Sequence, residues 1–189
     1  METKIDLRVL KTHNKITEAL GAMMTETTFD NITVYDLCAR AGIRRATFYK
    51  HFEDKYDLLA KVVTVIIDNI NKKVIASIRS NDTVKYLSLF SSEVIAYFEE
   101  RPNILSNILD SSAFPTLYEI ITNSTHKSLV DTFDSAKEHG AGLIAPTDVL
   151  ATFINGGIAG ILFNWFKTRS ITRDELIASL EVILKKLFV

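Results

Sequence analysis

The sequence is short of nearly everything that breaks or staples a chain. It holds one cysteine in 189 residues, Cys38, which excludes a disulfide within the chain and any multi-cysteine metal site. Cys38 falls at an apolar helical position, where a small buried side chain is expected. Three prolines and seven glycines leave room for long helices with few interruptions. No apolar run of period 2 bounded by turns occurs, so strands are not expected. The four histidines, His13, His51, His126 and His139, form no H-x-x-x-H pair and no metal-spaced cluster with carboxylates. No G-x-S-x-G and no phosphate-binding loop is present. A loose G-x-G-x-x-A at residues 140–145 follows a helical pattern instead of a strand and runs into Pro146, so it is not read as a dinucleotide site. These absences point away from an enzyme, from a metal and from a cofactor.

Charge of one sign is lacking as well. The net charge is −1, which excludes a surface that attracts polyanions everywhere and makes any nucleic-acid contact a local one. The first fifteen residues are polar and charged, with no apolar core of a secretory signal, and a cytoplasmic protein is expected. Long apolar runs are almost missing. The exception is Val149 to Phe166, 18 residues without a charge, close to the length of a membrane span. Thr152, Asn155, Asn164 and three glycines interrupt it, and a domain core or subunit interface produces the same pattern. No membrane contact is expected.

What is present is helix. With 47% apolar residues the chain can bury a substantial core. Residues 5 to 25 read as a first helix, followed by a polar break with Phe29 and Ile32 as plugs for a small core. Thr33, with Asp36 three residues on, reads as a capping pair for a second helix, and Gly42 ends it. A third short helix carries Phe48 and Phe52 inward. A fourth begins at Asp54 and keeps an apolar face to about Arg79. The fifth spans Thr83 to Glu100 and the sixth opens at Pro102. Ser111 to Pro115 reads as a kink or loop, Thr116 to Glu138 as a seventh helix closed by His139 to Gly142, and the uncharged run as an eighth. Thr172 with Glu175 caps a last helix whose Leu176, Leu180, Ile183 and Leu187 form a seam for a partner helix.

Thr33 to Lys55 stands out. A short helix, a turn at Gly42 and a second short helix make the layout of a helix-turn-helix DNA reader. Between Arg40 and His51 lie Arg40, Arg44, Arg45 and Lys50 and no acidic residue, a local charge of +4 on a chain that is nearly neutral. That is the electrostatic footprint of a phosphate-binding face.

This stretch, T-V-Y-D-L-C-A-R-A-G-I-R-R-A-T-F-Y-K-H-F-E-D-K-Y-D-L-L, closely resembles the N-terminal signature of the TetR family of bacterial transcriptional regulators. The A-G turn, the T-F-Y-x-H-F run and the following D-K-x-x-L-L stand at the family's spacing, and the resemblance covers about residues 8 to 60. The run T-F-I-N-G-G-I-A-G-I-L-F-N-W-F also looks like the end of a TetR-type regulatory domain. The resemblance implies an all-α homodimer of about nine helices. Residues 1–53 would be the helix-turn-helix DNA-binding domain and 54–189 a helical ligand-binding and dimerisation domain. Each subunit would place its second short helix in a major groove of double-stranded operator DNA, and a ligand would change the separation of the two readers. Two-fold symmetry sets those helices about 34–36 Å apart on a near-palindrome.

By similarity, Thr33, Arg44, Arg45, Thr47, Tyr49, Lys50, His51 and Lys55 occupy the DNA-contact positions. Arg45 and Thr47 come early in the recognition helix, where base edges are reached. Thr33, Tyr49, Lys50, His51 and Lys55 are expected on phosphates. Arg44 departs from the family, which often has a small hydroxyl residue there to cap the helix. An arginine cannot accept an N–H bond, so it would reach a phosphate or a guanine edge instead. The middle of the chain is rich in aromatics. Phe90, Val94, Tyr97, Phe114, Tyr118 and Phe153 are candidates for a pocket that takes a small, largely apolar effector. Gly156 and Gly160 leave a groove for close helix approach, and Ile158, Ile161, Leu162, Trp165, Leu176 and Leu180 are candidates for the dimer interface. The expected function is a ligand-responsive regulator, a repressor in the simplest form. The alternative is the same DNA reader controlled by a protein partner.

Overall fold

A computed structural model describes residues 7–78, 82–138, 140 and 142–187. Arg79 and His139, expected at helix ends, lie outside the described residues. Among those described there are only helices: α1 (Leu7–Met24), a 3₁₀ turn (Phe29–Asn31), α2 (Val34–Ala41), α3 (Arg45–Phe48), α4 (Lys55–Ser77), α5 (Thr83–Glu99), α6 (Pro102–Leu109), α7 (Ala113–Glu138), α8 (Thr147–Thr168) and α9 (Arg173–Leu187). The all-α expectation holds.

The helix ends follow local chemistry. The Asp54 carboxylate accepts the backbone N–H groups of Tyr56 and Asp57, both at 2.8 Å, and so caps α4. Thr172 and Glu175 close a reciprocal capping box on α9, at 2.8 and 3.3 Å. The Ser111–Pro115 segment is less irregular than its proline implies. The Ser111 hydroxyl accepts the Ala113 N–H at 3.2 Å. Pro115 then sits in the first turn of α7, where its missing N–H has no helical partner to lose.

The chain groups into two compact units: Met1–Val63 with Glu100–Leu117, and Thr64–Glu99 with Tyr118–Val189. The expectation from sequence placed one linear division after residue 53, whereas the first unit also takes in α6. In that unit Ile16, Leu20, Phe29, Ile32, Leu37, Phe48 and Leu58 are all but inaccessible. The side-chain amides of Asn103 and Asn107 donate to the carbonyls of Thr25 and Met24, at 3.4 and 2.8 Å. The Asp30 carboxylate takes both the N–H and the hydroxyl proton of Ser112, and the Ser112 oxygen lies 2.9 Å from the Tyr56 hydroxyl. These bonds satisfy the open end of α1 and tie the 3₁₀ turn to Ser112, 82 positions later in the chain. Ser112 holds the Asp30 carboxyl below its ordinary range.

In the second unit α9 and α8 both pack on α5. Leu87, Leu129, Phe133, Leu150, Ala151, Ile154 and Leu184 form its core. Arg173 donates to the Ser92 carbonyl and hydroxyl at 3.0 and 2.7 Å. Arg169 ends α8 in the left-handed region, at φ 47°. Its guanidinium lies 4.0 Å from the Trp165 ring centroid and bonds Glu99 at 3.2 Å, which holds the turn. The apolar run is α8, long and apolar enough by length and composition to cross a membrane. Its Leu150, Ala151, Ile154, Asn155, Ala159, Leu162, Trp165 and Phe166 are buried in the unit, as in a core helix.

That burial corrects the expected dimer residues. Leu162, Trp165, Leu176 and Leu180 are inside their own subunit, none more than 6% exposed. The Trp165 indole N–H donates to the Ile171 carbonyl at 2.8 Å. The buried row of α9 is Leu176, Leu180 and Leu184, an i, i+4 stripe, so the seam expected through Ile183 turns one residue away. The apolar face left outside is a different one. It comprises Val149, Phe153, Gly157 and Gly160 on α8 and Ala178, Val182 and Ile183 on α9. Phe153 alone is 65% exposed.

Candidate nucleic-acid interface and interior cavity

Thr33 caps α2: its hydroxyl oxygen accepts the Asp36 N–H at 3.1 Å, and its proton goes to the Asp36 carboxylate. Gly42 stops the helix at φ 65°, ψ 39°, a conformation that costs a residue with a Cβ more. The Ile43 N–H closes the turn onto the Cys38 carbonyl at 3.0 Å. Cys38 is buried at this corner, and burial pushes its thiol pKa up, away from nucleophile chemistry.

The second short helix is fixed from behind. Phe48 and Phe52 are buried with ring centroids 5.3 Å apart. Anchoring those two rings turns Arg44, Arg45, Tyr49 and Lys50 to solvent and leaves Thr47 and His51 half-buried at the edge. Arg44 stands at the cap position of α3 in extended backbone, and no side chain caps the helix there. The missing cap read from the sequence is real. Arg44, Arg45 and Lys50 have no ion-pair partner among the described residues. Three exposed cations on one short segment, backed by an aromatic anchor, can meet a phosphate backbone or the edge of guanine.

Two residues read as part of this face do other work. Arg40 counted toward the local +4, but its guanidinium is bonded to Glu26 at both ends, at 2.6 and 2.7 Å. That pair lowers the Glu26 pKa and cancels the charge. Lys55, expected on phosphate, instead donates to the carbonyls of Phe29, Asp30 and Ile32 at 3.0, 3.1 and 2.9 Å. It also lies 4.7 Å from the Phe29 ring centroid. An ammonium has three protons, and all three close the C-terminal end of the 3₁₀ turn. In the opposite direction, sequence reasoning missed His13 and Tyr35. The His13 ring lies edge-on to His51 at 5.0 Å. Burial first, then the charges of His51 and Lys61, lowers its pKa. Tyr35, in the first turn of α2 next to Thr33, is 67% exposed.

The second unit holds a cavity of about 50 Å³ between α5, α7 and α8. Of the residues expected there, Phe90 and Val94 line it. Tyr97, Phe114, Tyr118 and Phe153 do not. Tyr97 is one position off the lining face of α5 and packs edge-on to Phe98. Phe114 belongs to the first unit, and Phe153 points outward. Tyr118 stands behind Phe163, with ring centroids 5.8 Å apart. Ile158 and Leu162, expected at a dimer interface, line the cavity instead. The signal that finds the walls is helical spacing: Phe90, Val94 and Phe98 on α5, Ile121, Thr125 and Leu129 on α7, Ile158, Leu162 and Phe166 on α8. At the polar end the Asn155 amide donates to the Thr122 carbonyl at 2.5 Å, and its oxygen accepts the Thr125 hydroxyl at 2.6 Å.

Helices alone among the described residues, with an anchored helix-turn-helix in the first unit, give the layout of a DNA-reading regulator. Residues 16–62, which hold the helix-turn-helix, match the bacterial regulatory proteins of the tetR family. The chain is 35% identical over 63 residues to YxbF, an uncharacterized HTH-type transcriptional regulator of Bacillus subtilis. That match covers 33% of this chain and 17% of the relative. The fatty acid degradation regulator FadR from Bacillus halodurans is similar in structure, with a TM-score of 0.67 and 15% identity over 90% of this chain and 96% of that one. A TetR transcriptional regulator from Rhodococcus sp. RHA1 gives 0.66 and 15% over 96% and 98%. At these identities the structural likeness shows the fold.

Proposed function

We propose that the chain is a cytoplasmic, ligand-responsive transcriptional regulator, a repressor in its simplest form, that binds a near-palindromic operator as a homodimer. The observation that carries this is the cationic face of Arg44, Arg45 and Lys50, unpaired among the described residues and held outward by buried Phe48 and Phe52. Arg45 and Thr47 take the base-reading role. Arg44, Tyr49, Lys50 and His51 set register on phosphates, with Thr33 at the edge. The exposed stripe on α8 and α9 serves the homodimer, since an unpartnered apolar helix face next to two glycines favours close helix approach. The cavity receives a small, largely apolar effector. A ligand that prefers the conformation unable to span two half-sites lowers operator affinity by its differential binding.

The test is a gel shift on the DNA flanking the protein's own gene, repeated against a panel of small molecules. Specific retardation that a compound abolishes is the expected result. The smallness of the cavity favours a second reading, control by a protein partner. Retardation that no compound changes would select that one. No specific retardation on any flanking DNA would remove the function proposed.

A further inference from the structure

We propose that the cavity takes an uncharged, ring-sized apolar molecule bearing one hydrogen-bonding group, and that Asn155 with Thr125 reads that group. This rests on the cavity being the effector site. The first observation is electrostatic. None of its fifteen lining residues carries a charge. The acidic residue nearest in sequence on α5, Glu93, is turned away to Lys73 at 2.5 Å. An ionised ligand would lose its hydration and gain no counter-charge. Burial also raises the pKa of the lining Tyr86 phenol, which keeps it neutral.

The second observation is the state of the polar atoms. The Ser91 hydroxyl donates to the Leu87 carbonyl at 2.8 Å, and the Tyr86 hydroxyl to Asn71 at 2.6 Å. The Asn155 amide must point its nitrogen at the Thr122 carbonyl, which can only accept, so Thr125 donates to the Asn155 oxygen. This leaves one amide proton on Asn155 and the lone pairs of Ser91 and Thr125 for a guest. One alcohol, amide or carbonyl group satisfies that set.

The third is size. The cavity of about 50 Å³ holds a few waters, whereas an apolar cavity that admits benzene measures about 150 Å³. A ring therefore enters only when the walls widen. The guest then has higher affinity for the wider form, which is the differential a population shift requires.

Calorimetric titration of the full-length protein with benzyl alcohol, toluene and sodium benzoate at pH 7.5 tests this. Benzyl alcohol should bind at least tenfold more tightly than benzoate, and Thr125→Val should narrow its preference over toluene severalfold. Ile158→Trp, which fills the cavity, should abolish binding with the thermal transition retained. If that variant does not fold, Val94→Phe is the substitute. Benzoate binding as well as the alcohol, no binding of the alcohol, or binding untouched by the filling variants overturns the proposal. Alcohol binding without any change in DNA affinity leaves the ligand class standing and removes the effector role. DNA release by an anion that competes with the alcohol does the reverse.

Discussion

The two units solve opposite problems with the same secondary structure. The first must hold a few side chains at fixed positions outside. It therefore buries the rings of Phe29, Phe48 and Phe52 and closes α2 and the 3₁₀ turn, with Thr33 on Asp36, Gly42 in the left-handed region and Lys55 on three carbonyls, while α3 goes uncapped. Four-residue α3 is too short to be stable by itself, so its orientation comes entirely from the rings behind it. The second unit keeps a gap among its helices. Its polar atoms lie in the interior, at Ser88, Ser91 and Asn155, and its outside carries an apolar stripe. Rigid outward presentation needs short elements anchored from behind. The guest proposed for the second unit would need long helices with a gap between them.

The largest effect expected separates interior from stripe in the second unit. Trp165→Glu buries a charge without a partner and should remove more than about 4 kcal/mol of stability, visible as loss of the cooperative thermal transition. Phe153→Glu, on the exposed stripe, should leave that transition in place and reduce the mass measured by light scattering to that of a monomer. Equal effects from both would erase the distinction between core and interface. Next in size is Lys55. Lys55→Met removes charged hydrogen bonds worth roughly 1.5–3 kcal/mol each at most, so a drop of about 2 kcal/mol in denaturant stability is expected, with the salt dependence of DNA binding unchanged.

Arg45→Ala should cost about 1–3 kcal/mol on the cognate site and relax specificity there. Equal loss on every DNA sequence would assign Arg45 to the backbone. Lys50→Ala is smaller: affinity should fall uniformly across sequences, and the salt slope should drop by about 1. The smallest effect concerns His13. Its folded pKa lies below the ordinary 6.5, so the unfolded chain binds more protons as the pH falls through that value. Stability is then full above about pH 6.5 and declines below it. His13→Gln should flatten the thermal midpoint between pH 7.5 and 5.5. A midpoint that declines just as steeply in the variant would mean that another group titrates.

Legibility differed between the units for a physical reason. Caps, the Gly42 turn and the Phe48–Phe52 pair are local: partners lie within a few residues, and sequence spacing displays them. Arg40 and Lys55 are not legible in this way, because their partners, Glu26 and the carbonyls of residues 29, 30 and 32, lie 14 and 23 to 26 positions away. No spacing rule reports such a bond. In the second unit, apolar residues surround each helix, so composition does not say which face turns inward. Spacing therefore does not separate Tyr97 and Phe153 from the cavity walls, or Leu162 and Trp165 from an interface.

The sequence alone determined that the chain is helical, where the caps of α2, α4 and α9 stand, and that its cationic segment is a helix-turn-helix, because these depend on neighbours in the chain. Which cations of that segment stay unpaired, which face of α8 and α9 stays outside, and that a gap persists among Phe90, Thr125 and Asn155 depended on residues brought together from far apart. Packing and burial settle such pairings, and they exist only once the chain has folded.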